Sequence, residues 1–368
     1  MRIAYISLHW PRPKTSGIGK KIDQQTGIWR SRGHEVRFFS HMHHYPGDPE
    51  GLVNGETFIY SIRQGTWGLM GTELDRMRAM KRLIQQLEKY QPDIIYLRWG
   101  MYVHPLKQIF QIAPVVVEVN TNDIEEHRLL GISKSLYNQL TRAITLKLAT
   151  GHVFATHELS QLAVFSRFKR PYRVVSNGID LKKAKLIAAP SNLVPHLVFI
   201  GTPGMPWHGV EKLVDLGNRF NDIIIDIIGY EDIQGIPAVP SNIHLHGYLE
   251  GREFDQLLKQ ADAAIGTLSL YHKDMEEAAP LKIRDCISRG IPCILPYRDT
   301  DLDDISTPCI LKIPNTPDNI RQGGQQIHDF IHAMRGKRVE RRLVENRIDA
   351  EEKEIQRLEF FAWILENR

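Results

Sequence analysis

The chain has 368 residues, too many for one ordinary hydrophobic core, so two domains of average size are expected. Hydrophobic residues make up 42% and charged residues 24%, as in globular proteins, and no apolar run approaches the ~20 residues that span a bilayer. Three cysteines exclude a disulfide framework. The first residues, MRIAYISLHWPRP, lack the pattern of a secretory leader, and a cytoplasmic location is expected.

The net charge of +4 is small but unevenly spread. Five basic residues lie within 19–37, and RMRAMKRL at 76–83 adds four more. Solvated helix faces are the simpler interpretation, and peripheral contact with an anionic membrane, at the inner face of the cell membrane, is the alternative. No aromatic residues are interleaved with these charges, which argues against a nucleic-acid partner.

The N-terminal half alternates short β-rich runs with helical patterns at 18–31, 72–90 and 134–149. Several of the runs are continuously apolar, as expected when helices cover both faces of a parallel sheet. This half is therefore predicted to be a doubly wound α/β domain. Its predicted strands are 2–8, 34–40, 58–63, 93–99, 114–120, 151–156 and 173–177.

After Asp180 a polar, proline-bearing segment is predicted to be a linker, and the α/β alternation then restarts. The predicted domains are one Rossmann-like domain at 1–181 and a second at 182–337. A helical segment at 338–368 ends in an apolar patch (360–364) that must be buried, and we expect it to pack toward the N-terminal domain. Two such domains would face a central cleft, with ligands beyond the carboxyl ends of the strands.

The segment MEEAAPLKIRDCISRGIPCILP at 275–296 predicts a helix over 281–289, between Pro280 and Gly290. Lys282 falls in the first turn, where a cation opposes the helix dipole. This placement indicates a negatively charged ligand at the helix N-terminus. A surface pair between Lys282 and Asp285 is the structural alternative.

The same segment resembles the retaining, bacterial-type members of glycosyltransferase family four, which have the GT-B fold. The resemblance lies in an acid at 277, an acid eight residues later at 285, PLKIRD, and the following RGIPCI. Further similar segments are RVVSNGID (173–180), SGIGKKIDQQTGIWRSRGHEV (16–36), PDIIYLRWGMY and PVVVEVNTNDIEEH, which together cover nearly the whole chain. By this resemblance the domain at 1–181 is on the acceptor side, and the domain at 182–337 binds the nucleotide sugar. Glu277 would contact donor-sugar hydroxyls, Asp285 the nucleotide ribose, and Lys282 the diphosphate.

Two glycine-bearing loops are predicted to face the donor phosphates. SGIGKK lacks the spacing of a triphosphate P-loop, but Gly17 and Gly19 at a helix opening allow close backbone approach to phosphate. In GTPGMPWHG (201–209), Thr202 and His208 stand where related transferases have Arg and Lys, and Gly204 adds a flexible amide. We expect His208 to bind phosphate and activity to rise as it becomes protonated near pH 6.5.

Three weaker assignments follow from the same resemblance. Asn120, at the end of the fifth strand, is predicted to contact the sugar, and Arg98 to lie on the acceptor side. Tyr248 is predicted to stack on the base. For each of them a purely structural role is the alternative.

Two segments superficially suggest metal sites. The histidines at 41, 43 and 44 have no matching carboxylate or cysteine spacing, and DTDLDD at 299–304 is interpreted as a solvated loop. Neither a metal nor a cofactor is expected, apart from a nucleotide diphosphate sugar of UDP or GDP type as donor.

The resemblance thus implies a metal-independent, retaining, hexosyltransferase-like enzyme. It would transfer sugar to a glycan or lipid-linked acceptor in cell-surface polysaccharide synthesis. The alternatives are a GT-B partner subunit that binds nucleotide sugar with little or no turnover, and a nucleotide-sugar epimerase.

Overall fold

The computed structural model describes residues 1–8, 17–43, 55–65, 68–129 and 131–367. The chain forms two compact units: Met1–Val175 with Lys353–Arg368, and Ser176–Glu352. Each unit is built on a parallel β-sheet with flanking helices. The predicted pair of doubly wound α/β domains is confirmed.

The first unit has a sheet in the order β3-β2-β1-β4-β5-β6-β7, with every pairing parallel among the described residues. Its strands are β1 (Arg2–Ser7), β2 (Glu35–His43), β3 (Gly55–Tyr60), β4 (Ile94–Arg98), β5 (Val115–Val119), β6 (Gly151–Phe154) and β7 (Tyr172–Val174). Its helices are α1 (Gly17–Ser31), α2 (Gly68–Tyr90), α3 (Asp123–Leu129), α4 (Ile132–Leu148), α5 (His157–Gln161) and α6 (Ala163–Ser166).

The second unit has a main sheet in the order β10-β9-β8-β11-β13-β15, and β12 pairs with β14 beside it. Its strands are β8 (His196–Ile200), β9 (Ile224–Ile228), β10 (Ile243–Leu245), β11 (Ala263–Ile265), β12 (Glu277–Ala278), β13 (Cys293–Leu295), β14 (Arg298–Asp299) and β15 (Ile310–Lys312). The helices that follow β8 are α7 (Glu211–Arg219), α8 (Gly251–Gln260), α9 (Leu281–Ser288), α10 (Asn319–Met334), α11 (Glu345–Ile348) and α12 (Ala350–Glu366).

The central strands are almost entirely buried, which explains their largely apolar sequences. All five residues of β5 are buried, as are the first four of β4. Helices on both faces of a parallel sheet remove the solvent side that would otherwise select alternating polar residues. The helices in turn bury one stripe: the buried residues of α1 are Gly19, Lys21, Ile22, Gln25, Thr26 and Trp29.

The segment 181–195, predicted to be a linker, belongs to the second unit. The amide of Ile187 donates to the carbonyl of Arg289 at 3.0 Å, and Arg341 donates to the carbonyls of Leu181 and Ala184. These hydrogen bonds fasten the segment along the second unit, so the chain changes unit earlier, after Val175.

The C-terminal segment is not one continuous helix. A 3-10 turn at Arg341–Leu343 and α11 precede α12, and Asp349 between the two helices has an extended backbone. From Lys353 onward α12 belongs to the first unit, where Phe361 packs against Trp29 and Tyr96 with ring centroids 5.4 and 5.3 Å apart. The predicted burial holds for Phe360, Phe361 and Ile364, whereas Trp363 stays 40% exposed.

Candidate functional site

The loop 201–209 connects the carboxyl end of β8 to α7. It ends in a 3-10 turn at Pro206–His208 and in Gly209, whose φ of 62° is left-handed. A Cβ at Gly209 would lie 2.4 Å from Oγ of Ser269. Glycine therefore lets this loop lie against the loop after β11, where the amide of Leu268 donates to the carbonyl of His208 at 3.0 Å.

His208 is buried inside the loop and is neutral. Its Nδ1 accepts from the amide of Thr202 at 3.2 Å and lies 3.0 Å from the hydroxyl of Tyr230. Burial and the nearby positive charge of Lys282 lower the pKa of His208 to about 3. The expectation that His208 gains charge near pH 6.5 is wrong, because the ring sits in a desolvated, electropositive environment. With Nδ1 accepting, the proton of the neutral ring is on Nε2.

Thr202 supports His208 through its backbone: the amide binds Nδ1 and the carbonyl accepts from Tyr230 at 2.9 Å. The amide of Thr202 is thus already engaged within the loop. Gly204 lies exposed with a φ of 76°, and a Cβ there would meet nothing within 4 Å. The open space around Gly204 leaves room for a ligand over this part of the loop.

Lys282 is the second residue of α9, which begins after Pro280 as predicted. No hydrogen bond or ion pair joins it to the part of the chain that the structure describes. Burial lowers its pKa to about 8. It lines a small cavity with Ile200, Gly266 and Thr267, at the carboxyl ends of β8 and β11. An uncompensated cation at a helix N-terminus is an anion-binding arrangement.

Lys273 adds a second cation that the sequence analysis missed. Its Nζ lies 4.3 Å from the centre of the Trp207 ring, and its charge also lowers the pKa of His208. Lys273 ends a 3-10 turn in the loop after β11. That position, after the strand and before the next helix, is the only sequence signal that could have identified it.

The two predicted carboxylates, Glu277 and Asp285, differ in how deeply they are buried. Glu277 is buried at the start of β12, whereas Asp285 is partly exposed on α9. Oδ1 of Asp285 accepts from Nε of Arg289 at 2.8 Å, and Arg289 also binds Asp255. The alternative of a Lys282–Asp285 surface pair is therefore wrong. Tyr248, after β10, is 56% exposed.

A buried ion network shapes the loop before α9. Arg284 donates to Asp299 at 2.6 and 2.7 Å and to Asp301 at 2.7 Å. Asn177, from the NGID segment, donates to the carbonyl of Ala279 at 2.7 Å. The interpretation of DTDLDD as a solvated loop is wrong for its first two acids, which neutralise Arg284, and holds for Asp304, which is exposed.

In the first unit the predicted residues meet at a buried carboxylate. Glu118 binds Lys21 at 2.7 Å and Arg98 at 3.0 Å, and Lys21 also donates to Asn120 at 3.1 Å. Burial opposes ionisation of Glu118, but Lys21 and Arg98 hold its pKa well below the usual range. The guanidinium of Arg98 is ion-paired with Glu118, which agrees with the alternative of a purely structural role.

The remaining predicted positions of the first unit that the structure describes lie on α1 and β2. Gly17 opens α1 and is exposed, and Gly19 is buried in its first turn. His41 is buried on β2, where burial lowers its pKa to about 4 and its Nε2 lies 3.0 Å from the carbonyl of Arg76. His44 lies outside the described residues.

Two parallel-sheet α/β units, the second with a cationic site at its strand ends, are the architecture of the GT-B glycosyltransferases. The whole chain superposes on sucrose-phosphate synthase from Thermosynechococcus elongatus with a TM-score of 0.72 and 14% identity, covering 100% of both chains. It also resembles the lipopolysaccharide glycosyltransferase WaaG (TM-score 0.66, 13% identity, 98% of this chain and 99% of that chain). The galactosyltransferase WaaB of the lipopolysaccharide outer core is similar (0.66, 14%, 99% and 100%).

Residues 17–183 match the family model described as Glycosyltransferase Family 4. The matched range is less than half of the chain, and together with the shared GT-B fold it supports a glycosyltransferase, in agreement with the resemblance of the motifs. A search of curated protein sequences gives no match.

Proposed function

We propose that this glycosyltransferase is a retaining, metal-independent enzyme that transfers a sugar from a nucleoside diphosphate sugar to a glycan or lipid-linked acceptor in cell-surface polysaccharide synthesis. The observation that carries the proposal is the cationic site of the second unit. There, Lys282 lies in the first turn of α9 with no ion-pair partner among the described residues, and its charge and that of buried Lys273 both act on the neutral ring of His208. The charge and shape suit a diphosphate, which carries negative charge and needs several donors.

Related structures support a UDP-sugar as the first donor to test. HepE from Anabaena was solved with UDP-glucose, and an alpha-glucosyltransferase was solved with UDP-glucose and DNA. At 12% identity these likenesses show the fold alone, so the donor remains part of the proposal.

In the proposed reaction the bond between the anomeric carbon and the phosphate oxygen breaks, and a bond to the acceptor oxygen forms on the same face. The acceptor proton passes to a departing phosphate oxygen. Lys282 and the amides at the start of α9 stabilise the charge that develops on this phosphate. Nε2–H of His208 donates one hydrogen bond as a neutral group, and Lys273 adds a second positive charge.

Glu277 is proposed to orient the donor sugar through its hydroxyls, and Asp285 to contact the ribose. Oδ1 of Asp285 already accepts from Arg289. A ribose hydroxyl would therefore use the second oxygen. Tyr248 is exposed enough to stack on a base. In the first unit, Asn120 is the proposed sugar contact, and its side-chain oxygen already accepts from Lys21. Arg98 is the proposed acceptor-side residue of the same unit.

The central experiment measures nucleoside diphosphate release from a panel of donors, UDP-sugars first, with and without glycan and lipid-linked acceptors. Glu277→Gln keeps the shape of the side chain and removes its charge, and we expect release to fall about 100-fold because a transition-state contact is weakened. The matched control is Glu276→Gln at the exposed neighbouring position, which should stay within about 2-fold.

Each result discriminates among the proposed activities. Release that survives Glu277→Gln contradicts the site assignment. UDP binding without release from any donor would instead identify a nucleotide-sugar-binding partner subunit. An altered sugar nucleotide formed without acceptor would identify an epimerase. Retention at the anomeric carbon is read directly from the product by NMR.

A further inference from the structure

A cluster of two histidines and an aspartate lies on the second unit, apart from the residues proposed for catalysis. His328 and His332 are four residues apart on α10, so both rings project from one face of the helix. Asp222 lies in the loop between α7 and β9. Nothing in the proposed transfer reaction uses these three side chains.

The Nε2 atoms of both imidazoles lie close to one carboxylate. Nε2 of His328 lies 2.9 Å from Oδ2 of Asp222, and Nε2 of His332 lies 3.1 Å from the same oxygen. The Nε2 atom of His332 is buried but makes no hydrogen bond among the described residues. Two ring nitrogens and a carboxylate oxygen thus converge within 4.8 Å of one another, with one nitrogen unsatisfied.

The separations match the ligand spacing of a transition metal. Bonds of about 2.1 Å in tetrahedral geometry place ligand atoms about 3.4 Å apart, so the two nitrogen–oxygen separations need to open by only a few tenths of an ångström. Imidazole nitrogens and a carboxylate oxygen are the ligands of Zn²⁺ and of similar borderline cations. Three protein ligands leave a fourth position for water.

Groups around the cluster hold one ligand ring in place. Nδ1 of His328 lies 3.4 Å from Oδ1 of Asp329, which in turn accepts from Gln325 at 2.9 Å. One face of the His328 ring stacks on Phe220, with ring centroids 4.4 Å apart. A carboxylate behind a histidine ligand fixes the tautomer in which Nε2 is free to bind metal.

We propose that Asp222, His328 and His332 form a binding site for one divalent transition metal ion, with Zn²⁺ as the physiological candidate. The ion would connect α10 to the loop before β9 and so stabilise the second unit. It would have no part in the transfer reaction, because none of its ligands belongs to the cationic site. Asp329 would act as a positioning residue through His328.

The test is titration of metal-free, tag-free protein with Zn²⁺ by calorimetry, and with Co²⁺ by visible absorption. A second group, Asp226 with His244 and His246, also brings ligand atoms within 4.8 Å and supplies the matched control. His328→Ala/His332→Ala should remove one equivalent of bound metal, and His244→Ala/His246→Ala should leave that equivalent unchanged. Asp329→Asn should weaken its affinity about 10-fold.

Because the histidines of the site are only partly buried, the variants should fold, and circular dichroism checks this. In the wild type, Zn²⁺ should also raise the thermal midpoint, an effect absent from the double variant. The proposal is overturned if the folded double variant retains the full number of bound metal ions, or if the wild type binds none at micromolar Zn²⁺.

Discussion

Lys282 titrates within the pH range of an ordinary enzyme assay. Its pKa of about 8 lies below the usual value because burial disfavours the charged form. The cation is present below pH 8 and is lost as the pH rises through it. We therefore expect kcat/KM for the donor to fall above pH 8 as the diphosphate loses its counter-charge.

Lys282→Arg separates this ionisation from others, because arginine stays protonated across the range. The fall above pH 8 should disappear in this variant, whatever its absolute activity. His208, with a pKa of about 3, should produce no change between pH 5 and 7. A fall near pH 8 that persists in Lys282→Arg, or a step near pH 6.5 that vanishes in His208→Gln, would contradict these ionisation states.

At the residue scale, the sequence predicts which side chains are present at a site but not their protonation or ion pairing. The spacing from 277 to 285 predicts Glu277 and Lys282 as site residues, because both lie in one short segment. The neutrality of His208 depends on its burial and on the charges of Lys282 and Lys273, which only the folded chain brings together. For the same reason, the sequence alone does not reveal the ion pair between Arg98 and Glu118.

At the scale of elements, the ion network of Arg284 anchors α9 to β14. Arg284 and Asp299 are both fully buried, and removing one partner of a buried pair typically costs about 3–5 kcal/mol. Asp299→Asn is expected to lower the free energy of unfolding by about 3 kcal/mol, measured with urea by circular dichroism. Asp303→Asn, nearby and exposed, should change it by less than about 0.5 kcal/mol.

A loss at Asp299 no larger than at Asp303 would show that the network contributes little to stability. The network also explains why the sequence misjudged DTDLDD. Acidic clusters usually face water, and the pattern contains no sign that Arg284 would bury its guanidinium under two of these acids. Strands and helices were easier to predict, since largely apolar runs such as β5 are typical of strands inside a parallel sheet.

At the scale of the whole molecule, the peripheral membrane contact suggested by the basic sequence segments can be tested. No helix in the described parts of the chain is long and apolar enough to cross a bilayer. In the first unit, however, Leu69 is 87% exposed at the start of α2, and Arg78 and Lys81 follow on the same helix. On α4, Ile132, Leu136 and Leu140 form an exposed apolar stripe. Exposed apolar side chains and cations on the surface of the same unit suit an anionic lipid surface.

We expect the protein to cosediment with vesicles containing phosphatidylserine, and Arg78→Ala/Lys81→Ala to weaken this binding about 30-fold, since each cation contributes about 1 kcal/mol at such a surface. The control Lys185→Ala/Lys259→Ala removes the same charge from exposed positions of the second unit. Equal losses in both pairs would indicate a general effect of net charge. Within the basic stretch at 19–37, Lys21 is buried against Glu118 and is not available to lipid.

The assignment of 353–368 to the first unit has a consequence for how the protein is made. Phe361 completes a core that otherwise consists of residues from the first half of the chain, such as Trp29 and Tyr96. A ribosome must therefore release the whole second unit before the first can close its core. Nascent chains would hold an unfinished apolar surface throughout that interval, and a chain truncated before α12 would expose it permanently to chaperones and proteases.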